Sequence, residues 1–131
     1  MQEEQKVRVL IVDDDPSIVK LLARFVKDRA FRPVVADHAD DALCLAALHE
    51  IPIAVIDLHM PEMEGIELME SLRRVSPEIE VILVTGDYSA DSVTDALTHG
   101  AYDCLRKPLD FRHLSDCLNT LRDLALGRIT Q

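Results

Sequence analysis

Tryptophan is absent from this chain, and its aromatic side chains are only two tyrosines and three phenylalanines in 131 residues. Because 48% of the residues are hydrophobic, disorder is not expected, and the core must be aliphatic. Cysteine is scarce too. Cys44, Cys104 and Cys117 are odd in number and lack CxxC spacing, so neither a disulfide framework nor a zinc site is suggested. Buried, reduced thiols in a cytosolic protein are the expectation. The longest apolar runs span only a handful of residues, too few to cross a bilayer. Positive charge is in deficit, with 14 Lys and Arg against 24 Asp and Glu and a formal net charge of −10. Such a surface repels phosphate backbones and argues against direct nucleic-acid binding by this segment. No repeat, low-complexity tract or Pro/Gly-rich linker divides the chain, so residues 1–131 read as a single domain with a core of about 6–126. Residues 127–131 read as a tail or the start of a linker, and the polar, acidic Met1 to Lys6 is not a signal peptide.

What the chain does contain is a regular alternation of apolar runs and amphipathic segments. That is the pattern of repeated βα units around a parallel sheet. Val7 to Val12 is apolar throughout, as a strand buried on both faces requires. Asp15 suits an N-cap and Pro16 the first turn of a helix whose buried face is predicted as Ile18, Leu21, Leu22, Phe25 and Val26. Arg32 to Ala36 is a shorter strand that Pro33 marks as an edge. Helix Asp40 to His49, strand Ile53 to Asp57 and helix Ile66 to Val75 follow. Strand Glu80 to Thr85, helix Ser89 to His99 with Gly100 in the C′ position, and strand Ala101 to Arg106 come next. The last helix, Asp110 to Leu126, is predicted to bury Phe111, Leu114, Cys117, Leu118, Leu121 and Ala125. Five strands and five helices in strict alternation make a doubly wound α/β domain, with its functional crevice beyond the carboxyl ends of the strands.

Four of the strands end there on polar residues of different kinds: Asp13 and Asp14, Asp57, Thr85, and Lys107 before Pro108. Taken singly, such carboxylates cap helices and such lysines are solvated. Taken together, three carboxylates within a few ångströms repel by several kcal/mol unless a proton or cation intervenes. A hard divalent ion suits oxygen ligands, so Mg²⁺, or alternatively Mn²⁺, is expected on Asp14 and Asp57. Asp13 would hold a metal-bound water or coordinate directly, and the His59 backbone carbonyl can add an oxygen. The His59 imidazole suits such a site less well. A carboxylate so placed can act as a nucleophile toward phosphorus, with Thr85 and Lys107 receiving phosphoryl oxygens.

At these residues the chain resembles the receiver domain of two-component response regulators. The matching strings are Leu10-Ile11-Val12-Asp13-Asp14-Asp15-Pro16, Asp57-Leu58-His59-Met60-Pro61 with Gly65, Val84-Thr85-Gly86, and Gly100-Ala101-Tyr102-Asp103 with Lys107-Pro108. They cover nearly the whole chain, roughly Lys6 to Leu126. The resemblance implies a flavodoxin-like fold with strand order 2-1-3-4-5 and a cis Lys107–Pro108 bond. It implies that Asp57 accepts a phosphoryl group from a histidine kinase, that Asp13, Asp14, Asp57 and the His59 carbonyl bind Mg²⁺, and that Thr85 and Lys107 sense the phosphoryl group. The chain would then be no conventional turnover enzyme, although it would promote its own phosphorylation and dephosphorylation.

The family usually carries Phe or Tyr three residues before the lysine. Here Cys104 stands at that position, with Tyr102 two residues earlier and, by strand alternation, on the same face. His59 and Asp87, each two residues after a site residue, are candidate modulators of phosphoryl lifetime. The implied partners are a histidine kinase, an output domain or effector protein, and a second copy in a homodimer, in the cytoplasm and without membrane contact. Two other readings are a pseudo-receiver that binds partners unphosphorylated and an aspartyl-phosphate phosphatase. The latter usually carries a second aspartate two residues on, where this chain has His59.

Overall fold

The computed structural model describes residues 6–60 and 63–127. The expectations for Met1 to Gln5, for Pro61 and Glu62, and for residues 128–131 lie outside the described residues. The chain runs β1 (Arg8–Val12), α1 (Pro16–Asp28), β2 (Arg32–Ala36), α2 (Ala39–Leu48), β3 (Ile53–Asp57), α3 (Gly65–Val75), β4 (Glu80–Thr85), α4 (Ala90–Thr98), β5 (Asp103–Arg106) and α5 (Phe111–Ala125). All strand pairs are parallel, in the order β2-β1-β3-β4-β5. The doubly wound alternation expected from the apolar pattern, and the flavodoxin-like order that the resemblance implies, are the ones observed, with β2 at an edge.

Alternation along each strand feeds two cores, one on each sheet face. Leu10, Val12, Ala54, Ile56 and Leu83 pack toward Ala42, Leu68, Leu72 and Ala96 of α2, α3 and α4. Val9, Ile11, Val55, Ile82 and Val84 pack toward Leu22, Val26, Leu114, Leu118 and Leu121 of α1 and α5. The core is overwhelmingly aliphatic, with Phe31 its one fully buried ring. Helix ends follow local chemistry. Asp15 accepts the Ser17 N–H at 2.9 Å, Ser89 accepts the Ser92 N–H at 3.1 Å, and Asp110 accepts from Arg112 and His113. Gly100 closes α4 with φ +102°, a conformation that disfavours any Cβ, and the Arg73 guanidinium fills the space a side chain would need. The Lys107–Pro108 bond is cis.

Four side chains depart from the sequence reading. Leu21 is 54% exposed, because it sits about 100° around α1 from Leu22, at the margin of the buried stripe. Cys44 is exposed on α2, two residues from buried Ala42 and so on the opposite side of the helix. Ala125, the last residue of α5, is exposed. Tyr102 precedes β5 rather than lying within it, so strand alternation does not govern it and its ring is at the surface.

Candidate functional site

The sheet register brings the strand ends level. Val12 lies opposite Ile56, Asp57 opposite Val84, and Thr85 opposite Arg106, so the next residues of β1 and β5 are Asp13 and Lys107. Two backbone bonds extend the alignment past the strands: Leu58 N–H donates to Val84 O and Lys107 N–H to Thr85 O, each at 2.8 Å. The start of α3 presses against the acceptor peptide, with Gly65 N–H donating to Leu58 O at 2.7 Å. A Cβ on Gly65 would stand 2.7 Å from Asp57 O and 2.8 Å from Leu58 Cα, so only hydrogen fits there.

Asp13, Asp57 and Thr85 are buried while Asp14 faces solvent. One carboxylate oxygen each from Asp13, Asp14 and Asp57 lies within 4.8 Å of the other two. Lys107 Nζ donates to Asp13 Oδ2 at 3.0 Å and to Asp57 Oδ2 at 3.4 Å. The remaining oxygens take backbone donors: Asp13 Oδ1 accepts Asp15 N–H at 2.9 Å, and Asp57 Oδ1 accepts His59 N–H at 3.1 Å. Thr85 Oγ1 accepts Asp87 N–H at 3.0 Å, so its hydroxyl proton is free to point elsewhere. Every functional residue named from the sequence except Tyr102 therefore stands at or beside one sheet edge, or, as with Cys104, on the strand that leads to it.

Burial raises the Asp57 carboxyl above the ordinary carboxylate range; the His59 N–H opposes this, Asp13 adds to it, and Lys107 opposes it. Burial would lower the Lys107 ammonium, but the Asp13 and Asp57 carboxylates outweigh it and the net displacement is upward. One ammonium against three carboxylates leaves negative charge in surplus. At an effective dielectric of about 20, two carboxylates at this separation repel by roughly 3 kcal/mol. An oxygen-only donor set carrying surplus negative charge fits a hard divalent cation such as Mg²⁺.

Around this centre His59 is exposed, with Nδ1 3.0 Å from Glu64 Oε2. Glu64 escaped the sequence reading because nothing periodic links residues five apart in a loop. Asp87 is exposed beside Thr85. Cys104 is buried in the core that contains Leu83 and Ala96, and Tyr102 does not share that pocket. The pairing of Lys107 with Asp13 was also not foreseen, since spacing alone assigned the lysine only to phosphate.

Residues 9–119 match the family model described as Response regulator receiver domain. The chain is 34% identical over 110 residues to the transcriptional regulatory protein ZraR of Klebsiella oxytoca, covering 84% of this chain and 25% of that protein. It is likewise 34% identical over 112 residues to the two-component response regulator ARR2 of Arabidopsis thaliana, covering 84% of this chain and 17% of that protein. The chain thus spans about a quarter or less of these relatives. A CheY-like receiver domain structure from Methanospirillum hungatei superposes with TM-score 0.84 at 27% identity, covering 94% of this chain and 99% of that one. The receiver domain of a Francisella response regulator superposes with TM-score 0.84 at 28% identity, covering 92% and 99%. Sequence, topology and site geometry agree, and this chain belongs to the response regulator receiver domain family of two-component signalling.

Proposed function

We propose that Asp57 is the phosphoacceptor, that Asp13, Asp14, Asp57 and the His59 carbonyl hold Mg²⁺, and that Thr85 and Lys107 receive the phosphoryl oxygens. The observation that carries this reading is the Asp57 carboxylate, buried yet 3.4 Å from Lys107 Nζ and clustered with two further acids. An Asp57 oxygen attacks the phosphorus of a phosphohistidine; the P–N bond breaks and its electron pair returns to the imidazole, which takes up a proton. Catalysis of such a transfer is mainly positioning and charge stabilisation. The His59 N–H fixes one Asp57 oxygen and so presents the other toward Lys107. The Lys107 ammonium, held above its usual pKa, stays charged and meets one phosphoryl oxygen, while the Thr85 hydroxyl donates to another. Bound Mg²⁺ supplies charge neutralisation for the acids and the incoming phosphoryl group.

The donor is read as a histidine kinase acting in the cytoplasm; no described helix is long and apolar enough to cross a membrane. The response falls on the face of the last two strands and helices, where Tyr88, Leu97 and Tyr102 are exposed and the Arg106 guanidinium lies 5.2 Å over the Tyr88 ring. That face serves an output domain, an effector protein or a second copy of the chain, and it answers to the state of Asp57. Because Cys104 is a small thiol, its movement reshapes the face less than an aromatic ring would.

Incubation with acetyl phosphate and Mg²⁺, read by intact mass, tests the reading. A single labile phosphoryl adduct in the wild type and none in Asp57→Asn supports it. No adduct, or one that survives in Asp57→Asn, overturns it, and continuous phosphate release without an adduct points to a phosphatase.

A further inference from the structure

A second cluster, of mixed donors, shares no residue with the acidic site. Asp103 opens β5, while His113 and Cys117 stand four residues apart on one face of α5. His113 Nε2 lies 2.9 Å from Asp103 Oδ2, and Cys117 Sγ lies 3.7 Å from the same oxygen. One ligand atom of each residue lies within 4.8 Å of the other two. We propose that Asp103, His113 and Cys117 form a site for a borderline-soft divalent ion of the zinc class, which would clamp α5 to the edge strand.

The donor set selects the ion. Sulfur, imidazole nitrogen and one carboxylate favour zinc-like ions over Mg²⁺ or Ca²⁺, in contrast to the all-oxygen cluster at the sheet edge. Tetrahedral coordination with ligand distances of about 2.0–2.3 Å places donor atoms roughly 3.3–3.6 Å apart. The observed 2.9 and 3.7 Å to Asp103 bracket that range, and the His113 and Cys117 ligand atoms lie within 4.8 Å of each other. The carboxylate is already oriented, because Asp103 Oδ1 accepts the Cys104 N–H at 2.8 Å and leaves Oδ2 toward α5. Exposure is graded: Cys117 is buried, Asp103 half-buried and the His113 side chain 51% exposed, which gives an ion a way in past the imidazole. Three protein donors leave the fourth position to water or to a partner's side chain. Without an ion, burial and then the facing Asp103 carboxylate push the Cys117 thiol up to about 11, and Sγ–H donates to Asp103. A dication replaces that proton. Spacing between cysteines cannot reveal such a group, since its ligands are one His and one Cys on a helix and an Asp from the preceding strand. Among the described residues, a further mixed cluster, Asp37, His38 and Asp41, is wholly exposed and holds no buried donor.

The test is a Co²⁺ titration of the intact chain in excess Mg²⁺, which keeps the acidic site occupied. The expected result is a thiolate-to-cobalt charge-transfer band saturating at one equivalent and bleached by Zn²⁺. Cys117→Ser abolishes the band, and His113→Ala, at an exposed position that leaves folding intact, weakens Co²⁺ binding at least about ten-fold. Cys44→Ser and Asp57→Asn leave it unchanged. Absence of the band, its loss in Cys44→Ser, or unchanged affinity in His113→Ala overturns the proposal; should Cys117→Ser fail to fold by circular dichroism, the His113 variant still decides.

Discussion

Replacing Lys107 by Met removes the one cation between two nearly inaccessible carboxylates and should expose the electrostatics of the site directly. The Lys107 side chain is 22% exposed, against 3% for Asp13 and 8% for Asp57. At an effective dielectric of about 20, each ion pair is worth roughly 5 kcal/mol before desolvation of the ammonium is subtracted. Removing one partner of a buried pair costs about 3–5 kcal/mol, and partial solvent access at Lys107 places the expected loss nearer 2–3 kcal/mol in Mg²⁺-free buffer. With saturating Mg²⁺ a dication supplies the missing charge, and the loss should shrink below about 1 kcal/mol. In an Asp57→Asn background one of the stranded charges is gone, so the same substitution should cost about 1–2 kcal/mol less than it does alone. Urea denaturation of the four proteins, in EDTA and in excess Mg²⁺, measures all of this provided the m-values agree. A Lys107→Met cost below about 0.5 kcal/mol in EDTA, or one that Mg²⁺ leaves unchanged, refutes the reasoning.

Asp57→Asn alone should be more stable than the wild type without Mg²⁺. The wild-type carboxyl is raised above 3.8, so its penalty is absent below that value and appears as pH rises through the folded pKa; the variant's Tm advantage should widen from about pH 4 to pH 7. Gly65→Ala sets up to about 1 kcal/mol of helix propensity against a Cβ that needs some 0.7 Å more room at the Asp57 carbonyl. Packing should win, with a net loss of about 1–2 kcal/mol by thermal melt and slower phosphorylation by acetyl phosphate. Gly100→Ala should cost about 1–2 kcal/mol from its positive φ and its collision with Arg73, and less in an Arg73→Ala background, as urea melts will read. Leu22→Ala should lose about 2–4 kcal/mol while Leu21→Ser stays within about 0.5 kcal/mol, because only the former is buried.

The architecture was legible because parallel strands covered on both faces read as uninterrupted aliphatic runs, and β3 and β4 were bounded to the residue. The site was legible for a related reason. Strand ends in such a sheet are level by register, so Asp13, Asp57, Thr85 and Lys107 could be gathered without knowing a single loop. What stayed hidden depends on how side chains share partners. Lys107 bonding to Asp13, Glu64 reaching His59, and Asp103 meeting His113 and Cys117 all join residues whose separation carries no period, although His113 and Cys117 themselves share a helix face. Helix margins failed for a simpler reason: Leu21 fits an apolar repeat, yet it lies on the exposed margin of the buried stripe of α1. Tyr102 was misplaced because β5 starts one residue after it, and two-residue alternation holds only inside a strand.

The double attachment of the Lys107 ammonium has a consequence for how an arriving anion is registered. That ammonium carries three N–H donors, of which Asp13 at 3.0 Å and Asp57 at 3.4 Å take two, so on the proposed reading a newcomer takes the third and competes with the resident acids for the others. Recognition is then part addition and part exchange, because each further bond to the newcomer is one that a resident acid gives up. Since the same residue's amide is stitched to the last carbonyl of β4, the swap tugs on the seam between the fourth and fifth strands. A trigger offset in this way by what the residents give up is adjustable, and trimming the resident acid would set how easily it fires.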